Sequence, residues 1–187
     1  MIRDRLLDAA RTLVEHGDWG SLRLAQVARA AGASRQTVYN EFGTKVGLGR
    51  ALAEREVDLF LCGLQERMDR CGDDVPAAVE AAVLFALAEG ARRPLLKSVL
   101  AAGRYADDDL LTLATRDAEP LLAEAVGAVR GYADATWPQV PGEVKDLLVE
   151  SLMRLTVSHL VAPLHPPEET ARRLAGLARR VLGAGTT

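Results

Sequence analysis

Four polar side chains with complementary chemistry, Arg35, Gln36, Tyr39 and Asn40, fall within the stretch AGASRQTVYNEFGTKVGL at residues 31–48. At helical spacing they lie on one face. An arginine pairs bidentately with guanine, and the amides of glutamine and asparagine pair bidentately with adenine. A tyrosine hydroxyl is suited to phosphate and sugar oxygens. A helix that enters the major groove of DNA needs a face of this kind.

The residues around this face fit a helix-turn-helix. Val27 and Ala28 fall on the inner side of a short helix over 24–31, where a small residue allows two helices to cross closely. Gly32 follows at the turn, where positive φ is required. Ser34 is a suitable N-cap for the next helix, and Val38 faces back into a small core. The spacing therefore predicts that the polar face points outward.

The stretch LAQVARAAGASRQTVYNEFGTKVGL, residues 24–48, resembles the DNA-binding signature of TetR-type transcriptional regulators. The resemblance implies a DNA-binding head over 1–48 and a ligand-binding, dimerising body over 49–187. The positions that match the signature are Val27, Ala28, Ala31, Gly32, Ser34, Thr37, Val38, Tyr39, Phe42, Lys45 and Leu48. The DNA-binding residues expected from the face and the resemblance together are Arg23, Ser34, Arg35, Gln36, Thr37, Tyr39, Asn40 and Lys45.

Single residues of this head have alternative interpretations. Many members of the family have Thr or Ser where this chain has Arg23, so either Ser21 caps the second helix or Arg23 contacts phosphate. Lys45 is an ordinary solvated lysine or, by its motif position, a phosphate contact. Tyr39 is a core residue or a DNA contact. Glu41 is structural or solvated, because a carboxylate facing phosphates is unfavourable.

Composition and charge agree with a soluble globular protein. The chain has 187 residues, of which 49% are hydrophobic and 26% charged. Residues 1–50 carry 8 Lys and Arg against 5 Asp and Glu, whereas residues 51–187 carry 15 against 21, so polyanion contacts are expected near the N-terminus. Neither a signal peptide nor a membrane span is predicted. Cys62 and Cys71 would lie about 13–14 Å apart on a helix, so we expect reduced thiols in a cytoplasmic protein.

Hydrophobic periodicity predicts an all-α fold of about nine helices. Apolar residues recur at helical spacing, and β-branched alternation is nearly absent. Thr44 is expected to cap a long fourth helix that continues from the head into the body without a break. The first helix is expected to start near residue 2, and a short helical segment is expected to be capped by 107–109. The other helices are expected to span about 24–31, 34–42, 76–92, 94–103, 120–135, 143–162 and 167–182.

The last two helices carry apolar stripes that are wider than one neighbour requires. One interpretation is the packed core of a monomer. The other, favoured by the resemblance, is a four-helix bundle across the two-fold axis of a homodimer. His159 is expected to be a core or interface histidine rather than a ligand. The expected dimerisation residues are Leu148, Leu152, Leu155, His159, Leu174, Leu177 and Val181.

The central helices offer apolar residues for an effector pocket, although an ordinary core would use the same residues. A hydrophobic effector is expected, such as a long-chain acyl compound or a drug-like aromatic. No cofactor, metal site or enzymatic activity is expected, because catalytic and metal-binding motifs were not found and Asp107–Asp109 resemble a helix cap. The expected pocket residues are Phe60, Leu61, Leu64, Phe85, Leu96, Leu100 and Tyr105.

These patterns together predict a ligand-responsive transcriptional repressor. Two heads of a homodimer would bind a pseudo-palindromic site in double-stranded operator DNA. A small hydrophobic effector would favour a head spacing that fits the operator poorly, which is a coupling free energy between two sites. The alternative is an all-α small-molecule-binding or carrier protein that does not bind DNA.

Overall fold

A computed structural model describes residues 1–15, 19–92 and 118–184, with side chains from 123 onward in the last range. The predicted all-α class is confirmed. The described residues form eight helices, whereas about nine were predicted for the whole chain; the predicted helix 94–103 and the cap at 107–109 lie outside the described residues. The helices are α1 (Ile2–Glu15), α2 (Leu24–Ala30), α3 (Arg35–Phe42), α4 (Lys45–Asp69), α5 (Val75–Arg92), α6 (Ala118–Thr136), α7 (Gly142–Val161) and α8 (Pro167–Ala184).

Side-chain caps and glycines set the limits of the helices in the head, as predicted. The Ser34 hydroxyl accepts a hydrogen bond from the Thr37 amide at 3.0 Å and begins α3. The Thr44 hydroxyl accepts from the Gly47 amide at 3.1 Å and begins α4. Gly32 at the turn has a φ of 62°, a conformation that other residues rarely adopt.

Two hydrophobic cores lie along α4. The head core joins α1, α2 and α3 to the first turns of α4, and it extends to Leu52, beyond the predicted boundary at residue 48. The body core begins at Phe60 and joins α4 to α5, α6, α7 and α8. Because α4 has 25 residues and spans about 37 Å, one continuous helix connects the two cores.

Arg55 ties α1 to the middle of α4. Its guanidinium donates to the Asp4 carboxylate at 3.1 Å and to the Asp8 carboxylate at 2.9 Å. These ion pairs are partly exposed, so each contributes little on its own, but two contacts from one guanidinium fix an orientation. The head is therefore held on α4 by polar contacts as well as by its core.

Within the described ranges, no helix is long and apolar enough to cross a membrane. The two cysteines are free, as predicted: Cys62 is exposed on α4, and Cys71 is half-buried just beyond the end of that helix.

Candidate nucleic-acid interface and ligand cavity

The outer side of α3 carries the four polar residues predicted to face outward. Arg35, Gln36 and Asn40 are exposed, and 53% of the Tyr39 surface is accessible. On the opposite side of the same helix, Val38 is completely buried in the head core. Tyr39 is therefore not a core residue. We call Arg35, Gln36, Tyr39 and Asn40 the reading face.

Hydrogen bonds within α3 already order part of this surface. The Gln36 side-chain amide donates to the Asn40 side-chain oxygen at 2.9 Å, so two candidate base-contacting groups are held side by side. The hydroxyls of Ser34 and Thr37 lie 2.8 Å apart at the start of the helix. The Arg35 guanidinium forms no hydrogen bond or ion pair in the described part of the chain, so it is available to an incoming acceptor.

Lys45 occupies a different environment from that of a solvated lysine. Its ammonium donates to the carbonyl oxygens of Trp19 at 2.5 Å and Gly20 at 2.9 Å, and it lies 5.1 Å from the centre of the Trp19 ring. An ammonium has three donor hydrogens, and two of them are engaged in these bonds. Lys45 thus joins the loop before α2 to the start of α4 and retains one donor for an external acceptor.

Arg23, rather than Ser21, is the N-cap residue of α2. Its backbone amide donates to the Gln26 side chain at 2.7 Å, so the start of the helix is satisfied without the hydroxyl cap typical of the family. The Arg23 side chain is exposed. The structure therefore argues against Ser21 as the cap of α2, and a phosphate contact of Arg23 stays a prediction.

Two arginines of α1, which lie upstream of the signature, contact the turn before α3 and the end of that helix. Arg5 donates to the Ala31 carbonyl oxygen at 2.6 Å, directly at the turn between α2 and α3. Arg3 stacks over the Phe42 ring, with 5.1 Å between guanidinium carbon and ring centre. Sequence reasoning missed both contacts, and their only signal was a pair of basic residues in the first turns of α1.

The body contains an apolar cavity of about 110 Å³ between α4, α5, α6 and α7. Phe60 and Leu64 line it, as the sequence suggested, but Leu61 and Phe85 do not. Leu61 packs against the core, and Phe85 stacks on Phe60 with ring centres 5.5 Å apart. The predicted pocket residues Leu96, Leu100 and Tyr105 lie outside the described residues. Lining residues that were missed include Met68, Val75, Val79, Ala82, Val83, Ala86, Val129, Ala133, Trp137, Val140 and Met153.

The structure corrects part of the predicted dimer surface. Leu148, Leu152 and Leu174 are at most 9% accessible in the single chain. Leu148 and Leu152 line the cavity, and Leu174 belongs to the body core, so these three side chains do not face a second copy. These three residues are apolar, as predicted, but they face the inside of the chain. The remaining predicted residues, Leu155, His159, Leu177 and Val181, are exposed or half-buried.

An ionic network borders the cavity between α6 and α7. Lys145, 7% accessible, contributes to the cavity wall and donates to the Asp134 carboxylate at 2.7 Å. Arg130 pairs with the same carboxylate and donates to Asp146 at 2.5 Å. Hydrogen bonds from Arg130 and then from Lys145 lower the pKa of Asp134, and the bonds to Asp134 and then Asp146 raise the pKa of Arg130. Arg130 and Asp134 are therefore both charged at neutral pH.

A helix-turn-helix with an exposed polar face, joined by one helix to a body that contains an apolar cavity, defines a DNA-binding regulator with a ligand-binding domain. Comparison with family models agrees with this class. The model described as bacterial regulatory proteins, tetR family, matches residues 6–52. The model described as bacterial tetracyclin repressor, C-terminal domain, matches residues 74–180. The chain belongs to the TetR family.

Individual relatives extend the similarity over nearly the whole chain. The HTH-type transcriptional regulator AlkX of Mycobacterium tuberculosis is 34% identical over 178 residues, which cover 95% of this chain and 83% of that protein. The crystal structure of the TetR family repressor AlkX from Dietzia sp., implicated in biodegradation of n-alkanes, superposes with a TM-score of 0.74 at 27% identity, covering 96% of this chain and 97% of the other.

A more distant relative shares the fold alone. The regulator FadR from Bacillus subtilis, solved in complex with stearoyl-CoA, has a TM-score of 0.53 at 13% identity and covers 96% of this chain and 95% of its own. The family match and the two AlkX relatives identify the chain as a ligand-responsive, DNA-binding transcriptional repressor. The regulator prediction is confirmed over the carrier alternative.

Proposed function

We propose that the reading face enters the major groove of the operator, and that Arg23, Ser34, Thr37 and Lys45 contact the phosphates beside it. The single observation that supports this assignment is the division of α3 into a buried side at Val38 and an exposed polar side. Arginine and amide side chains on a packed helix are the groups that discriminate bases. Phosphate contacts then fix the register of that helix on the duplex.

The repressor acts as a homodimer in the cytoplasm, with one head on each half of a pseudo-palindromic operator. Two half-sites in successive major grooves are about 34–36 Å apart, a spacing that a two-fold dimer supplies. The surface that supports dimerisation lies on α7, where Leu147 is 56% and Leu155 37% accessible. Nearby, the buried Nδ1 of His159 has no hydrogen-bond partner in the described ranges, and a second copy would cover these groups.

The effector is an apolar molecule that fills the body cavity. Its walls are built mainly from aliphatic and aromatic side chains, including Phe60 and Trp137. The relatives point the same way, because one is implicated in n-alkane biodegradation and another was solved with an acyl-CoA. An aliphatic ligand fits this wall chemistry and these relatives better than the drug-like aromatic alternative.

The long helix α4 supplies the connection between effector and operator. Phe60, Leu64 and Met68 line the cavity, whereas Leu52 and Arg55, further toward the N-terminus of the same helix, hold the head. A ligand that repositions the C-terminal half of α4 changes the spacing of the two heads. The difference in ligand affinity between the two spacings is the free energy that releases DNA.

A gel shift with DNA from upstream of the regulator's own gene tests this function. The purified protein is expected to retard the fragment, and an apolar extract of the cells is expected to release it. A polar extract serves as the matched control and should leave the complex intact. Retardation that no extract reverses would remove the effector part of the proposal, and no retardation of any upstream fragment would remove the operator part.

A further inference from the structure

In the described cavity wall, each polar side chain has a hydrogen-bond partner inside the protein. Within the described lining, three residues carry a side-chain nitrogen or oxygen: Trp137, Lys145 and Thr156. The Trp137 indole donates to the Gly72 carbonyl oxygen at 3.1 Å. The Thr156 hydroxyl donates to the Leu152 carbonyl oxygen at 2.7 Å. The remaining described wall is hydrocarbon, together with the thioethers of two methionines.

Lys145 is the one charged residue of that described wall, and its charge is committed to the Asp134 carboxylate. The Lys145 side chain is nine-tenths buried, so the ammonium depends on protein partners rather than on water. Asp134 in turn is held by Arg130, which also pairs with Asp146. The two cations and two carboxylates of this network balance one another, so a ligand carboxylate at Lys145 would add an uncompensated negative charge beside Asp134. The aliphatic part of Lys145 therefore faces the ligand as another hydrocarbon surface.

We propose that the cavity selects a neutral hydrocarbon chain and rejects the alkanoate of the same length, because the one cation of the described wall is already paired with Asp134 and a ligand carboxylate there would be a second, uncompensated negative charge. This inference rests on the proposed function, in which an apolar effector occupies the cavity. It deepens that function by assigning the chemical class of the ligand. A hydrophobic wall discriminates weakly against a hydroxyl and strongly against a charge.

The selectivity is measured with n-octane, octanol and octanoate, which share one chain length. The chain has two tryptophans, so Trp19→Phe leaves Trp137 of the cavity wall as a single fluorescent probe. Octane is expected to change the Trp137 emission with the highest affinity. Octanol is expected to bind about 10- to 100-fold more weakly, and octanoate more than about 100-fold more weakly.

A variant that lacks one carboxylate tests the selectivity against octanoate more directly. Asp134→Asn removes the carboxylate partner of Lys145 and is expected to strengthen octanoate binding about tenfold while leaving octane unchanged. Asp146→Asn is the matched control, since it removes the same charge and another partner of Arg130 but keeps the bond between Lys145 and Asp134. Asp146→Asn should leave the affinities for octane, octanol and octanoate unchanged.

A second pair of variants locates the binding site. Ala82 lines the cavity and Ala81, its neighbour on α5, does not. Ala82→Leu is expected to abolish octane binding, and Ala81→Leu to retain it. Octanoate that binds the unmodified cavity as tightly as octane, or an Asp134→Asn variant that gains nothing, would overturn the selectivity. Failure of all three ligands to bind would instead contradict the apolar effector of the proposed function.

Discussion

The head and the body of this regulator are held together by different means. In the head, basic side chains reach from one segment to backbone carbonyls of another, as Arg5 does at Ala31 and Lys45 at Trp19. In the body, apolar side chains pack around a space that they do not fill. The head presents fixed polar groups to a rigid partner, whereas the body retains room for a small one. Rigidity therefore serves recognition of DNA, and incomplete packing serves recognition of ligand.

Leucine truncation in the two cores should give the largest difference between the regions. Leu52, 1% accessible, is packed in the head, and Leu52→Ala is expected to lower the free energy of unfolding by about 2–5 kcal/mol. Leu148 already borders the cavity, so its side chain has fewer contacts to lose, and Leu148→Ala should fall near the lower end of that range, about 2 kcal/mol. Urea denaturation measures both. A greater loss for Leu148→Ala would mean that the cavity is not open in solution.

Removing the Arg5 side chain tests whether the head depends on its polar connections. Arg5→Ala leaves the Ala31 carbonyl without its charged donor and is expected to destabilise the protein by about 1.5–3 kcal/mol. Operator affinity should fall as well, although Arg5 is not assigned to DNA, because the turn before α3 loses its support. Arg154→Ala is the control, since this exposed arginine of the body pairs with Glu150 on its own helix. Equal effects of the two changes would contradict this role for Arg5.

Lys45→Ala should combine a structural effect with an electrostatic one. Loss of the bonds to Trp19 and Gly20 is expected to cost about 1–2 kcal/mol of stability, since two carbonyls lose a charged donor at a half-buried position. The salt dependence of DNA binding should also flatten by about one unit, as for one lost phosphate contact. Thermal melting measures the effect on stability, and a salt titration measures the effect on DNA binding. An unchanged melting temperature would show that Lys45 is an ordinary surface lysine.

Local patterns in the sequence were sufficient to predict the structure of the head but not that of the body. The reading face, the caps at Ser34 and Thr44 and the turn at Gly32 depend on residues close in sequence, so spacing alone predicts them. The bond from Lys45 to the loop at Trp19 joins segments 26 residues apart, and no local pattern contains it.

The body shows more clearly what the periodicity of apolar residues cannot predict. An apolar stripe on α7 indicates a covered face, but it does not show whether the cover is a second copy or the same chain. The sequence pattern predicts Leu148 and Leu152 for a dimer surface, but in the structure both residues line the cavity. The alanines of α5, such as Ala82 and Ala86, were the available signal for this space, because small side chains leave room between helices.

The smallest expected effect concerns acid stability near the ionic network. The folded-state pKa of Asp134 lies below its ordinary value of 3.8, so its contribution is fully present above that value and is lost as the pH falls through the lower folded pKa. Asp134→Asn should therefore flatten the decline in stability below about pH 4 and change little at neutral pH. Chemical denaturation across that pH window measures the effect, and Asp146→Asn again serves as the control. An equally steep acid decline in Asp134→Asn would contradict the lowered pKa.

The most direct test of the reading face is the operator preference of Arg35→Ala. Fluorescence anisotropy with duplexes changed one base pair at a time is expected to show a loss of about 1–3 kcal/mol on the operator and relaxed preference at one base pair in each half-site. Arg154→Ala, which removes an exposed arginine from the body, should bind every duplex as the unmodified protein does. Unchanged affinity and unchanged base preference in a folded Arg35→Ala protein would contradict the assignment of α3 as the helix that reads the operator.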